Sequence, residues 1–342
     1  MRRLLLPAVA AITLSPALVA CGAGADDDDR LTVVASFYPV AFVAERVGGE
    51  DADVEVLSKP GVDAHDLELA PKQVAAVQDA DVLLYQSGFQ TAVDEAVEQA
   101  DRDEDTTVDS TAGVDLIEDD GADEDHGHED EDEDSHEDHG HEDEDSHEDH
   151  DHGDEDHGHE DGHEGHDHGP GDPHIWLDPL NMVTLTRNAE QAMSAADPDN
   201  AEAYSANADA LVAELRELDA DLSEGLATCE TRDIVVSHAA FGYLARSYDL
   251  HQVPIAGIDP SNEPTAAQLA KLADLVDSEG ISTVFTERLV SSAVADTVAR
   301  EAGVETAVLD PLEGLDEETA DEDYLSIMRQ NLQAITQANG CS

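Results

Sequence analysis

Leu31-Thr32-Val33-Val34-Ala35-Ser36-Phe37-Tyr38-Pro39 decides the fold class. Its first six residues form a short apolar run with β-branched side chains, which suits a strand covered on both faces. From 37 to 49 the apolar positions recur at helical spacing, so the strand runs straight into a helix. The alternation continues outward: strands are expected at 53–58, 81–86 and 106–110, with helices at 71–80 and 90–100. It returns later, with strands at 233–237, 252–258, 282–286 and 306–309 and helices at 241–248, 264–278, 291–302 and 324–338. Repeated strand–helix alternation argues for α/β architecture with parallel sheets flanked by helices.

Between the two series, Leu211, Leu215, Leu218, Leu222 and Leu226 fall three or four apart. They mark one long amphipathic helix that Pro198 and Asp199 announce. The expected organisation is two α/β lobes joined by one long rigid helix. The N-terminal lobe takes 31–117 and 170–200, the linker helix 201–228 and the C-terminal lobe 229–342. Residues 118–169 fit neither lobe.

That stretch is almost wholly Asp, Glu, His and Gly, with no apolar face, and is expected to be a disordered insertion without metal. It carries thirteen of the chain's 17 histidines: His126, His128, His136, His139, His141, His147, His150, His152, His157, His159, His163, His166 and His168. They form an auxiliary metal-binding loop, since imidazole and carboxylate together hold borderline divalent cations. Within it His159-Glu160-Asp161-Gly162-His163 matches the HExxH pattern of metalloproteases. That chemistry needs both histidines on one stable helix with a buried Glu. A Gly interrupts this copy and nothing apolar could bury it, so no enzyme is expected.

Arg2 and Arg3 precede an apolar stretch that ends in Leu18-Val19-Ala20-Cys21. This reads as a signal peptide over 1–20, cleaved before a lipid-modified Cys21, with 21–30 as a short tether. The chain is thus expected outside the cytoplasm, held at the outer face of the membrane. An even pair of cysteines there, Cys229 and Cys341, is most simply one disulfide; two soft metal ligands are the alternative. The net charge is −68. Of 83 acidic residues 28 lie in 118–169, leaving 55 against 15 Lys and Arg elsewhere. Such a surface excludes nucleic acid as a partner, because nothing on it could neutralise phosphate.

Four histidines lie outside the tract. His65 follows the second strand, His238 follows Ile234-Val235-Val236-Ser237, and His174 lies in Asp172-Pro173-His174-Ile175-Trp176-Leu177-Asp178-Pro179. Asp310 follows Ala307-Val308-Leu309. Open α/β sheets bind ligands beyond the carboxyl ends of their strands. His65, His174, His238 and Asp310 would make a four-coordinate site suited to zinc. Glu287, also at a strand end, is the rival carboxylate, with an ion pair to an arginine such as Arg288 as its structural role. His251 opens a strand and is read as structural. Asp172 and Asp178, beside prolines, are read as shaping turns.

These segments, together with Ala35-Ser36-Phe37-Tyr38-Pro39, Pro60-Gly61 through His65, Ser237-His238-Ala239-Ala240-Phe241-Gly242-Tyr243 and Leu309-Asp310-Pro311-Leu312, resemble the cluster A-I solute-binding lipoproteins of zinc and manganese ABC importers, in particular the ZnuA-like zinc receptors. The resemblance covers essentially the whole mature chain. It implies a monomeric receptor that holds Zn2+ between two lobes on His65, His174, His238 and Asp310, and delivers it to an ABC permease. It also implies that Glu287 is a cleft residue and not a direct ligand. Manganese-binding members tend to carry a carboxylate at the position of His238, and nitrogen-rich sites favour zinc. Ala64 departs from zinc receptors with a carboxylate beside the first histidine. The alternatives are a receptor for manganese or another divalent ion, and a surface lipoprotein that sequesters metal or acts as an adhesin.

The acidity of the folded part points to a salty habitat, where counter-ions screen self-repulsion. The melting temperature is expected to fall on transfer from molar to low salt. A melting temperature independent of salt would remove that inference.

Overall fold

The computed structural model describes residues 30–117, 171–262 and 264–342. The signal segment, Cys21 and all thirteen tract histidines lie outside the described residues. The first sheet is built from β1 (Leu31–Ala35), β2 (Ala52–Val56), β3 (Val82–Tyr85) and β4 (Thr107–Asp109) in the order β2-β1-β3-β4. The second uses β5 (Asp233–Val236), β6 (His251–Pro254), β7 (Thr283–Thr286) and β8 (Glu305–Val308) in the order β6-β5-β7-β8. Every pairing in both sheets is parallel. The two sheets therefore repeat one topology, as expected of two α/β lobes.

The period-two alternation of a strand divides each sheet between two layers. Val33, Ala35, Val82 and Leu84 face the central core, whereas Val34 and Leu83 face an outer cluster under α2 (Pro71–Asp79) and α3 (Thr91–Ala100). Likewise Ile234 and Val236 face the centre, while Val235 and Val284 pack beneath α7 (Ala266–Ser278) and α8 (Ala293–Ala302). The central core is continuous from one sheet to the other. Helix α1 (Tyr38–Gly48) runs through it, buried on most sides, with Pro39 in its first turn, where a missing N–H leaves no bond unmade.

Helix α5 (Ala201–Gly225) joins the halves as a single 25-residue rod. It packs on α1 and on α4 (Pro179–Ala196) from the first half and on α9 (Tyr324–Ala338) from the second. Its buried stripe includes Leu211, Leu215, Leu218 and Leu222, the residues whose spacing announces it. Helix α4 is the element the sequence reading lacks. Asp178, read there as a turn residue, is its N-cap: the carboxylate accepts from Leu180 N at 2.8 Å, and Pro179 opens the helix. No described helix is long and apolar enough to cross a membrane.

Cys229 and Cys341 form a disulfide across 112 positions, tying the end of the chain to the residues just before β5. Closing a loop of that size restricts the unfolded chain. Reduction, or Cys341→Ser, is expected to lower unfolding stability by about 2–5 kcal/mol, read as the denaturant midpoint with and without reductant. An unchanged midpoint would show that the bond adds no stability.

Candidate metal centre

Three loops at the carboxyl ends of strands, and one turn ahead of α4, converge between the sheets. His65 lies in the segment between β2 and α2, His238 follows β5, and His174 precedes a single turn of 3-10 helix, Ile175–Leu177. The fourth member is Glu313, in the stretch after β8. Side-chain exposure is 6% for His65, 0% for His174 and His238 and 1% for Glu313. Nε2 of His174 lies 3.4 Å from Nε2 of both His65 and His238. Oε1 of Glu313 lies 3.5, 3.3 and 3.2 Å from Nε2 of His65, His174 and His238. Ligands at zinc distances of about 2.0–2.1 Å on a tetrahedron stand about 3.3–3.4 Å apart. The five separations that involve His174 or Glu313 fit that figure, and all four donor atoms lie within 4.8 Å of one another.

Asp310 stands outside this group. Its Oδ1 accepts from Leu312 N at 2.8 Å, and its Oδ2 lies 3.3 Å from Nε of Arg288. Its main chain is held at both ends by the Asn331 side chain, at 2.9 and 2.7 Å. Asp310 therefore folds the turn that delivers Glu313, with Leu312 in the left-handed region at φ 58°. For a residue with a Cβ that conformation is strained, and the hydrogen bonds from Asp310 and Asn331 hold it. Asp310, at the strand end, is the carboxylate expected as donor; the longer side chain of Glu313, three residues on, is the one that faces the imidazoles. A glutamate flanked by Leu312, Gly314 and Leu315 was the available signal, since a carboxylate in an apolar run needs a partner.

Two of the three imidazoles, His174 and His238, are oriented by carboxylates on their far side. In Asp63-Ala64-His65 and Asp172-Pro173-His174 the aspartate accepts the main-chain N–H of the histidine two residues on, at 2.8 and 2.9 Å. Asp172 Oδ1 also reaches His174 Nδ1 at 2.7 Å. Asp172 thus does shape a turn, as expected, and it takes the ring proton as well. Glu287 does the same for His238, with both oxygens 2.8 Å from Nδ1 and Oε1 3.2 Å from the main-chain N. It is a partner of His238, while Arg288 pairs instead with Asp310 and with Glu318, the latter at 2.7 Å. A carboxylate on Nδ1–H fixes the tautomer that leaves the Nε2 lone pair facing the centre.

Phe89 and Trp176 wall the cluster. Phe89 meets the His65 ring edge-on at 4.8 Å between centroids, and Trp176 lies 5.2 Å from His174. Trp176 Nε1 donates to Pro311 O at 2.7 Å, linking the His174 loop to the Glu313 loop. Beside His65 opens a hollow of about 420 Å³ whose lining includes Asp66, Glu68, Glu95 and Asp259. His251 begins β6, with its side chain exposed and Nδ1 3.5 Å from Asp233.

Burial pushes the Glu313 carboxyl up, yet the three imidazoles hold it well below the ordinary range. Burial likewise pushes His238 down, but Glu287 and then Glu313 override it and raise it to about 10. His174 is raised against its burial by Asp172 and Glu313. Asp63 is pushed up to about 7, by burial first and then by Glu313. The charge of Glu313 and the raised proton affinity of His174 and His238 thus support one another.

Residues 33–338 match the family model described as zinc-uptake complex component A, periplasmic. The zinc-binding lipoprotein AdcA of Streptococcus pneumoniae (strain ATCC BAA-255 / R6) is 36% identical over 326 residues, covering 94% of this chain and 58% of its own length. This chain therefore spans less than two thirds of that relative. The high-affinity zinc uptake system protein ZnuA of Bacillus subtilis (strain 168) is 36% identical over 317 residues, covering 92% and 89%. The crystal structure of the Zn(II)-bound ZnuA-like domain of Streptococcus pneumoniae AdcA superposes with a TM-score of 0.68 at 32% identity, covering 91% of this chain and 99% of that one.

A dication entering this cluster must displace the protons it meets, so its affinity should fall as pH falls. For His238 the competition operates at every pH below about 10. Trp176, the only tryptophan, stands beside His174 and reports the cluster instead of the tract. Titration of Zn2+ against Trp176 emission at about pH 6 and about pH 8 should give weaker binding at the lower value. Equal affinity would contradict proton displacement.

Proposed function

The chain belongs to the family of zinc-uptake complex component A proteins, and from that premise we propose that it is an extracytoplasmic receptor that captures Zn2+ on His65, His174, His238 and Glu313 and delivers it to an ABC import permease. The observation that carries the reading is the set of donor–donor separations around His174 and Glu313, 3.2–3.5 Å, which match those of a zinc tetrahedron. Three nitrogens and one carboxylate oxygen also suit zinc better than manganese, which prefers oxygen-rich sites. Four protein donors leave no open position for an activated water, which supports a binding role over hydrolysis.

Capture follows from the chemistry of the donors. Glu313 supplies the charge that draws a cation out of water into a buried place. His174 and His238 wait with Nε2 turned inward, held by Asp172 and Glu287. His65 is the ligand that borders the hollow, so it is the first imidazole an incoming ion meets and the last it leaves. The carboxylates lining that hollow favour a cation there. As the ion binds, His174 and His238 give up protons; their protonation reverses the step. The continuous core and the α5 rod limit the halves to small relative movement. Lipid on Cys21 would hold the receptor at the membrane, and the tract histidines would hold further ions more weakly.

Replacing a direct ligand should cost more than the about 10–100-fold typical of an outer hydrogen-bond partner. His238→Ala and Glu313→Ala are each expected to abolish the tight Trp176 response to Zn2+, with metal analysis of the washed protein losing one ion. Removal of residues 118–169 should leave that response in place. A wild-type response surviving Glu313→Ala would reject this carboxylate, and one surviving His238→Ala would reject the site.

A further inference from the structure

We propose that α6 (Gly242–Ser247) is a positioning element for metal capture: it clamps Asp172 and, through it, sets the His174 imidazole. This rests on the zinc reading of the cluster. Asp172 Oδ1 takes both the main-chain and the Nδ1 hydrogens of His174. Asp172 is in turn held by Ile117 from the first half of the chain and by Tyr243 from the second.

Tyr243, fully buried, donates its hydroxyl to the main-chain oxygen of Asp172 at 3.1 Å and accepts from Ile117 N at 3.0 Å. Ile117 O in turn accepts from Asp172 N at 2.9 Å. Three hydrogen bonds thus close a knot between positions 117, 172 and 243. Arg246 tightens it, lying over the Tyr243 ring at 5.0 Å and donating to Asp115 O at 2.9 Å. Ser247 Oγ donates to Asp178 Oδ2 at 2.6 Å, so the same helix also holds the start of α4.

Gly242 completes the clamp by what it lacks. A Cβ there would stand 2.4 Å from Asp172 Oδ2, so the carboxylate occupies the space that any other residue would fill. His238 lies four residues before Gly242 on the same segment. The segment that carries one ligand therefore places the orienting partner of another, and the two Nε2 atoms stand 3.4 Å apart. A ring whose partner shifts turns its lone pair away from the ion, and such outer partners are worth about 10–100-fold in affinity.

The experiment uses the full chain, with Zn2+ titrated in a competing chelator buffer and Trp176 emission as readout. Gly242→Ala is expected to weaken binding by about 10–100-fold, and Tyr243→Phe to weaken it in the same direction, in metal-free protein that still unfolds in a single cooperative transition. Gly257→Ala, whose added Cβ meets nothing within 4 Å, should leave affinity as it was. In an Asp172→Ala background Gly242→Ala should have no further effect, because both act on one interaction. Unchanged affinity in Gly242→Ala and Tyr243→Phe, or an effect that adds fully to that of Asp172→Ala, overturns the proposal. Should Gly242→Ala not fold, Tyr243→Phe decides alone. If instead the wild-type response survives His238→Ala, the zinc reading itself has failed.

Discussion

A carboxylate sealed from water must be met by positive charge, and Glu313 imposes that demand on everything around it. A buried charge left alone is severely penalised. Here three imidazole nitrogens stand within 3.5 Å of one of its oxygens; His174 and His238 answer the demand by holding protons more firmly than a free imidazole, and all three rings can answer it as fellow ligands of a cation. The centre therefore has two well-satisfied conditions and no comfortable third. That exchange between proton and metal is what makes a buried site both retentive and reversible.

The framework serves to bring donors from distant parts of the sequence to one point. His65 and His174 are 109 positions apart, and His174 and His238 are 64 apart. Parallel sheets send their loops to one end, where two of the histidines sit, and α5 holds the sheets against a shared core. The carboxylates behind the rings matter as much as the rings. Asp172 and Glu287 convert side chains that could rotate into donors of fixed direction, so little ordering is left for the ion to impose.

Much of this was legible in the residues. Alternating β-branched runs and helical spacing gave both sheets, and the leucine stripe gave α5, because those patterns report burial directly. Three of the four clustered side chains were found from rare histidines in strand-end and turn positions. Helix α4 was missed because its stretch carries Thr and Asn among its apolar positions, although Asp178-Pro179 is a strong opening signal. That Glu313 and not Asp310 lies with the three histidines was hidden for a different reason. Which of two nearby carboxylates faces inward depends on a left-handed turn at Leu312, and on Arg288 and Asn331 contacts that no local pattern encodes.

One feature of the backbone bears on how such a protein can vary. A hydrogen bond from Asp172 N to Ile117 O, at 2.9 Å, fastens together two points far apart in the sequence. Once its ends are fastened, the entropic cost of an inserted segment rises only with the logarithm of its length. The junction beside the metal cluster is therefore fastened by the folded part's own backbone, whatever the number of residues between its two ends.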